Sequence, residues 1–131
     1  MKYLSHYTQA AQTELLEKVG AFFAFGQKQF DEQKVEGVKY YSLRAGLFVP
    51  QGKENELTEG LAEISKKGRE ADLAENGIKG IIHRELGNYE CQISCDMTPA
   101  VEALEPYGIT ENQVKAEWKE FWDICVENDF F

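Results

Sequence analysis

Apolar residues recur at intervals of three and four along most of this chain, a spacing that places them on one face of an α-helix. The last segment shows the pattern best, because Thr110 and Gln113 form a capping box that marks a helix start. The apolar face of this helix comprises Val114, Trp118, Phe121, Trp122 and Cys125. We therefore expect a mainly helical protein that ends in a long amphipathic helix.

The same period predicts further helices earlier in the chain. Two consecutive helices, or one kinked helix, fill the first segment and end before Gly37. Another helix runs from about residue 53 to 75, one runs from 78 into the low nineties, and a short one covers 98–105. The fold class is thus predicted as mainly α, a single-domain bundle of about five helices.

Residues 38–49 break the helical pattern, because their apolar side chains alternate, with a slip in phase between Tyr40 and Tyr41. We expect an extended or β segment here, with Gly46 as a candidate bulge and a partner strand near Gly87. Gly87-Asn88 is also a hairpin-turn dipeptide, so an α+β fold with a small hairpin there is the alternative.

The 131 residues are predicted to form one globular domain, residues 1–131. The formal net charge is −9, and residues 51–131 alone carry eight Lys/Arg and eighteen Asp/Glu, a net of −10. Phosphate groups repel such a surface, which argues against direct binding to nucleic acid or to an anionic membrane. Acidic charge suits a basic protein partner or simply solubility.

Cellular location is predicted from what the sequence lacks. Residues 1–6 have no apolar core of a signal peptide, and no apolar run approaches the roughly 18 residues of a transmembrane helix. The chain has three cysteines, which are too few, and odd in number, for a disulfide framework. We expect a cytoplasmic protein.

A zinc site is one catalytic pattern to weigh. His83 and Glu85 followed by Cys91 and Cys95 loosely match the zinc deaminases, in which one His and two Cys hold the metal. Here three residues separate the cysteines instead of two, and no proline precedes them. Two core thiols and a surface histidine explain the residues better.

Paired carboxylates are the other pattern. Glu102 with Glu105 and Glu120 with Asp123 match the acidic signature of helical nucleotide pyrophosphohydrolases of the MazG type, in which such groups hold Mg²⁺. With 23 acidic residues in the chain, spacings like these arise readily by chance. A solvated acidic face is the better explanation, and we predict no catalytic residue, metal ligand or cofactor.

Two surfaces suit recognition better than chemistry. Hot spots of protein interfaces are enriched in Tyr and Arg. The irregular segment contains Tyr40, Tyr41 and Arg44 close together in the sequence. On the last helix, opposite its apolar face, an acidic stripe could meet a basic groove; it comprises Glu120, Asp123 and Glu127. We predict these six residues as partner-binding.

Unusual strings occur throughout the chain: Tyr3-Leu4-Ser5-His6-Tyr7, Ala21-Phe22-Phe23-Ala24-Phe25, Gly37-Val38-Lys39-Tyr40, Arg84-Glu85-Leu86-Gly87-Asn88-Tyr89-Glu90 and Tyr107-Gly108-Ile109-Thr110. They resemble a family of small uncharacterised proteins in phages and mobile elements of anaerobic gut bacteria. The resemblance implies no established activity and transfers no catalytic residue. It implies a phage accessory protein, a class that includes inhibitors of host defence nucleases such as anti-CRISPR proteins.

These observations rank the function classes. We expect a non-enzymatic protein–protein interaction module, in its sharper form an acidic phage-encoded inhibitor of a basic, nucleic-acid-handling host enzyme. The alternative is a metal-dependent nucleotide pyrophosphohydrolase that uses the paired carboxylates.

Overall fold

The computed structural model describes residues 2–131, which fall into two compact units. Residues 4–68 form one unit, with eight Lys/Arg and nine Asp/Glu, a net charge of −1. Residues 2–3 and 69–131 form the other, with six Lys/Arg and fourteen Asp/Glu, a net charge of −8. We call them the mixed unit and the acidic unit, because the first contains both helices and strands and the second carries most of the charge.

The mixed unit contains two whole helices, the first part of a third and a small antiparallel sheet. Its elements in chain order are α1 (Leu4–Val19), β1 (Phe22–Phe23), α2 (Gln27–Gln33), β2 (Tyr40–Ser42), β3 (Leu47–Pro50) and the first part of α3 (Glu54–Asn88). The strand order is β1-β3-β2, with Phe22 opposite Phe48 and Tyr41 opposite Val49. The predicted extended segment is thus a short β-hairpin.

Three details of the prediction for this region are wrong. Phe22 and Phe23 continue the helical spacing of α1, but they form β1, because Gly20 adopts a φ of +78° and ends the helix. The partner strands of the hairpin come from this same unit and not from the region of Gly87. Gly46 lies in the 3₁₀ turn that joins β2 to β3, and not in a bulge.

Apolar side chains close the mixed unit on both faces of the sheet. Val49 is fully buried, and it belongs to a cluster with Val19, Ala21 and Leu57. On the other face four aromatic rings contact one another: Phe22, Phe30, Tyr40 and Phe48. Together the two clusters hold α1, α2 and the start of α3 against three very short strands.

The acidic unit is helical. It contains the remainder of α3, then α4 (Cys91–Ser94), α5 (Thr98–Leu104) and α6 (Glu111–Asn128). The predicted boundary between the helices at 53–75 and from 78 appears as a break inside α3, since Gly77 has a φ of 70° and a ψ of 163° and helical geometry resumes after it. Gly87 and Asn88 lie in the helix, so the alternative hairpin there is wrong.

The predicted capping box of α6 is confirmed. Thr110 Oγ1 accepts a hydrogen bond from the Gln113 backbone N–H, and Gln113 Oε1 accepts one from the Thr110 N–H. The core of the unit is one cluster that joins α3, α4, α5 and α6; its members include Ile81, Ile82, Leu86, Leu104, Ile109 and Phe121. Among residues 2–131, no helix is both long enough and apolar enough to cross a bilayer.

Candidate functional site

An open groove of about 860 Å³ marks the surface of the acidic unit. α3 lines it with Lys79, His83 and Arg84, and α6 lines it with Glu120 and Phe121. Gly80 and Gly87 also line it and lie on the same helical face as His83, so this stretch of α3 presents its backbone to the groove. A volume of this size is typical of a ligand site.

Four ionisable side chains meet at the groove. His83 Nε2 lies 3.0 Å from Glu117 Oε1, and Lys79 Nζ lies 2.7 Å from Glu120 Oε2. The ligand atoms of His83, Glu117 and Glu120 all lie within 4.8 Å of one another. Glu117 and Glu120 are three residues apart on α6, so both carboxylates reach the same side of that helix.

The Lys79–Glu120 ion pair shifts the pKa of both residues. The hydrogen bond between them raises the pKa of Lys79 and lowers that of Glu120. Both side chains are largely exposed, at 62% and 49%, and water screens such pairs. We therefore assign this pair no important part in stability, and Glu120 stays available to another cation.

His83, Glu117 and Glu120 are the one group of three or more potential metal ligands found within residues 2–131. Sequence reasoning missed it, because the histidine and Glu117 are 34 residues apart. The only local signal was the three-residue spacing of Glu117 and Glu120. It was overlooked in favour of the spacing of Glu120 and Asp123.

Gln92 is a second unusual feature of this groove. Its side chain is 8% exposed, and its Nε2 donates a hydrogen bond of 2.8 Å to the carbonyl of Phe130. Its Oε1 is buried and has no hydrogen-bond partner in the described part of the chain. A buried acceptor without a donor is costly, and it often marks the place of a water molecule or ligand.

A buried polar network supports the α3 side of the groove. Arg84 makes a two-pronged ion pair with Asp72, with N–O distances of 2.8 and 3.0 Å, and its Nε donates to Glu85 at 2.9 Å. The Tyr107 hydroxyl donates to Asp72 at 2.6 Å. Further contacts to the Lys2 carbonyl and the Tyr107 oxygen engage all five N–H groups of Arg84. Arg84 therefore positions the helix and has no donor left for an anionic ligand.

The pKa values of the network follow from these contacts. Burial alone would raise the pKa of Asp72, but hydrogen bonds from Arg84, Tyr107 and Asn76 outweigh it and hold that pKa below its ordinary value. Burial and the bond to Asp72 raise the pKa of Tyr107 to about 12. The pKa of Arg84 is also raised: burial opposes this shift, but bonds to Asp72 and Glu85 outweigh it. Asp72 is thus charged and Tyr107 neutral at physiological pH.

The predicted aromatic surface lies in the mixed unit, and its two tyrosines differ. The Tyr40 ring contacts Phe22 and Phe30, and its hydroxyl accepts a hydrogen bond of 3.1 Å from the Val35 N–H. Tyr41 is half exposed, at 50%, and Arg44 is exposed at the start of the 3₁₀ turn. Of the two tyrosines, Tyr41 offers the more accessible ring.

Of the predicted acidic stripe, Asp123 and Glu127 lie on the outward face of α6, whereas Glu120 lies at the edge of the groove and reaches Lys79 of α3. Glu120, Asp123 and Glu127 are all exposed, and Lys119 Nζ lies 3.0 Å from Asp123 Oδ2. Ile124 and Val126, also exposed, lie among them. This face is therefore acidic and apolar at once.

The other candidate ligands are dispersed. Glu102 and Glu105 line a separate hollow with Glu111, away from the group that contains Glu120. All three cysteines are free thiols. Cys91 and Cys125 are buried, and burial raises the pKa of each thiol, which makes both poor nucleophiles at neutral pH.

Comparison with known proteins gives one match. A family model described as a family of unknown function matches residues 4–123. Among curated proteins and solved structures, no similar chain was found. The chain's own geometry must therefore carry the functional argument.

Proposed function

The chain belongs to DUF7659, a family of unknown function, and we propose that it is a non-enzymatic protein-binding module whose acidic unit docks on a basic partner. The observation that carries this proposal is the outward face of α6 together with the residues that follow the helix. Large apolar side chains are exposed there among carboxylates, and a purely solubilising surface has no need of them.

The docking surface we propose comprises Asp123, Ile124, Val126, Glu127, Asp129, Phe130 and Phe131. Val126, Phe130 and Phe131 are each more than half exposed, at 58%, 55% and 56%. Apolar anchors with a charged rim are the usual anatomy of a protein interface. The anchors would supply affinity, and the carboxylates would attract and orient a basic partner.

Charge distribution supports a basic partner. The acidic unit carries a net charge of −8, whereas the mixed unit carries −1. A surface this acidic competes with phosphate for the same basic groove, so we extend the proposal to a nucleic-acid-handling enzyme as partner. In its narrowest form the chain is a phage-encoded inhibitor of a host nuclease. That form depends on the resemblance to phage proteins. We also propose a cytoplasmic location, which accords with three free thiols.

Affinity capture with the tagged full chain tests this proposal, using nuclease-treated lysate from cells that carry the gene. We expect one stoichiometric basic partner, which added DNA or RNA displaces. Raising the salt concentration from about 0.1 M to about 1 M should also release it, because the Debye length falls from about 10 Å to about 3 Å.

A pair of charge variants sharpens the test. Asp123→Lys with Glu127→Lys changes the net charge by +4 on the docking surface, and Glu14→Lys with Glu17→Lys makes the same change on exposed positions of α1. We expect only the first double variant to lose the partner. If both double variants lose the partner equally, the effect depends on net charge and not on the docking surface. Capture that does not change with salt concentration would contradict the proposal.

A further inference from the structure

We propose that His83, Glu117 and Glu120 form a binding site for a divalent transition-metal ion of the zinc class. The inference is independent of any protein partner. It starts from the meeting of one imidazole nitrogen and two carboxylate oxygens within 4.8 Å, contributed by two helices of the same unit. Three protein donors leave coordination positions open, as in metal sites that also bind an exogenous ligand.

The donor set selects the class of ion. Imidazole nitrogen suits Zn²⁺ and its transition-metal neighbours, whereas Mg²⁺ and Ca²⁺ take oxygen ligands almost exclusively. The two carboxylates offset the charge of a divalent ion, and a neutral His83 adds none. We therefore expect Zn²⁺ or Co²⁺ to bind much more tightly than Mg²⁺.

Two of the three donors, His83 and Glu117, are held in place before any ion arrives. The side chains of His83 and Glu117 are only 18% and 23% exposed, and the His83 ring meets the Phe121 ring edge-on at 5.9 Å. Phe121 belongs to the buried core, as does Ile82 beside His83. Because both helices are fixed by this core, the ion would need little rearrangement.

Lys79 is the competing cation, and its position gives a specific prediction. Its ammonium lies 2.7 Å from Glu120 Oε2 and competes with a metal ion for the charge of this carboxylate. An exposed lysine–carboxylate pair contributes little in water, so a multiply coordinated ion should displace it. Removing the ammonium should nevertheless strengthen metal binding measurably.

Gln92 is the independent sign that something binds in this groove. It lines the same groove as His83 and Glu120, and its buried Oε1 lacks a donor in the described chain. An unsatisfied acceptor in the lining indicates that a donor absent from the protein, a water molecule or a ligand, completes this part of the groove.

Calorimetric titration of the full chain with ZnCl₂ tests the site, with Co²⁺ absorption as the spectroscopic readout. The background is Cys95→Ser, which removes the one exposed thiol. We expect one ion per chain, at least about tenfold weaker binding in His83→Ala and Glu117→Gln, and tighter binding in Lys79→Met. His6→Ala, at the chain's other histidine, should leave binding unchanged.

Each outcome decides the proposal. Undetectable Zn²⁺ binding would overturn it, and equal weakening by His83→Ala and His6→Ala would show an adventitious ion only. Because Glu117→Gln preserves shape, its circular dichroism melt should match that of the parent chain, and a loss of metal binding in a folded variant supports the site. Weaker binding in Lys79→Met would also contradict the assigned geometry.

Discussion

At the scale of single residues, Arg84 is the side chain on which we expect stability to depend most. It is the one positive charge paired with two buried carboxylates, those of Asp72 and Glu85. Its side chain is 3% exposed, and that of its partner Asp72 is fully buried. In Arg84→Met we expect the free energy of unfolding to fall by about 3–5 kcal/mol, since a buried charge is left unpaired. Urea unfolding followed by circular dichroism measures this loss.

Lowering the pH should reduce the difference in the free energy of unfolding between the parent chain and Arg84→Met. The pKa of Asp72 lies below its unfolded value of about 3.9, so its contribution is complete above that pH and is lost as pH falls through the lower folded pKa. In the variant, burial without Arg84 raises the pKa of Asp72, so the variant regains stability as that carboxyl takes up a proton. We expect the difference in the free energy of unfolding to be largest near pH 7 and to shrink steadily on acidification. A difference that grows on acidification would contradict the assigned ion pair.

Tyr107 gives the matching prediction at high pH. Its pKa is raised to about 12, against about 10 in the unfolded chain, so its contribution to stability is complete below pH 10 and is lost as pH rises through 12. An ultraviolet titration should show one tyrosine that ionises near pH 12. That step should vanish in Tyr107→Phe, and its persistence would assign it to another residue.

Single residues also show where sequence reasoning stops. Asp123 and Glu127 of the acidic stripe were predicted correctly as an exposed face of α6, because helical spacing determines which residues share a side. The group of His83, Glu117 and Glu120 was not found, since it depends on how α3 packs against α6. Local patterns contain no record of such a distance.

At the scale of elements, Gly77 interrupts α3 without ending it. Its φ of 70° and ψ of 163° lie in a region essentially restricted to glycine, and an added Cβ would meet no atom within 4 Å. Gly77→Ala should therefore cost about 1–3 kcal/mol through backbone strain alone. Thermal unfolding measures this cost.

Gly26→Ala is the matched control for this substitution. Gly26 has an extended φ of 175°, and a Cβ there would also meet nothing within 4 Å. We expect its effect to stay within about 0.5 kcal/mol, as for ordinary surface positions. A stable Gly77→Ala chain would mean that α3 straightens at no cost.

The elements of the acidic unit were the more predictable part of the fold, because capping residues and apolar spacing agree there. Phe22 and Phe23 show the opposite case. They fit the helical period of α1 and also have high strand propensity, and the conflict is resolved by Gly20 and by pairing with β3. That pairing joins residues some 25 positions apart, which periodicity alone does not report.

At the scale of the whole molecule, the sequence predicts one domain, and the structure contains two compact units that share helix α3. The break at Gly77 lies beyond the boundary at residues 68 and 69, so the helix is unbroken where it passes from one unit to the other. We expect them to unfold as one cooperative system, because the backbone hydrogen bonds of α3 extend from one unit into the other. Both tryptophans lie in the acidic unit, so their fluorescence reports that unit alone.

Two core truncations make this expectation measurable. Leu57 and Leu104 are both fully buried, the first in the mixed unit and the second in the acidic unit. Either leucine-to-alanine change should cost about 2–5 kcal/mol. If unfolding is cooperative, Leu57→Ala must lower the tryptophan-detected urea midpoint as Leu104→Ala does, with coincident circular dichroism. If Leu57→Ala leaves the tryptophan-detected urea midpoint unchanged, the two units are independently folding domains. In that case the mixed unit unfolds without changing the fluorescence of the tryptophans, which both lie in the acidic unit.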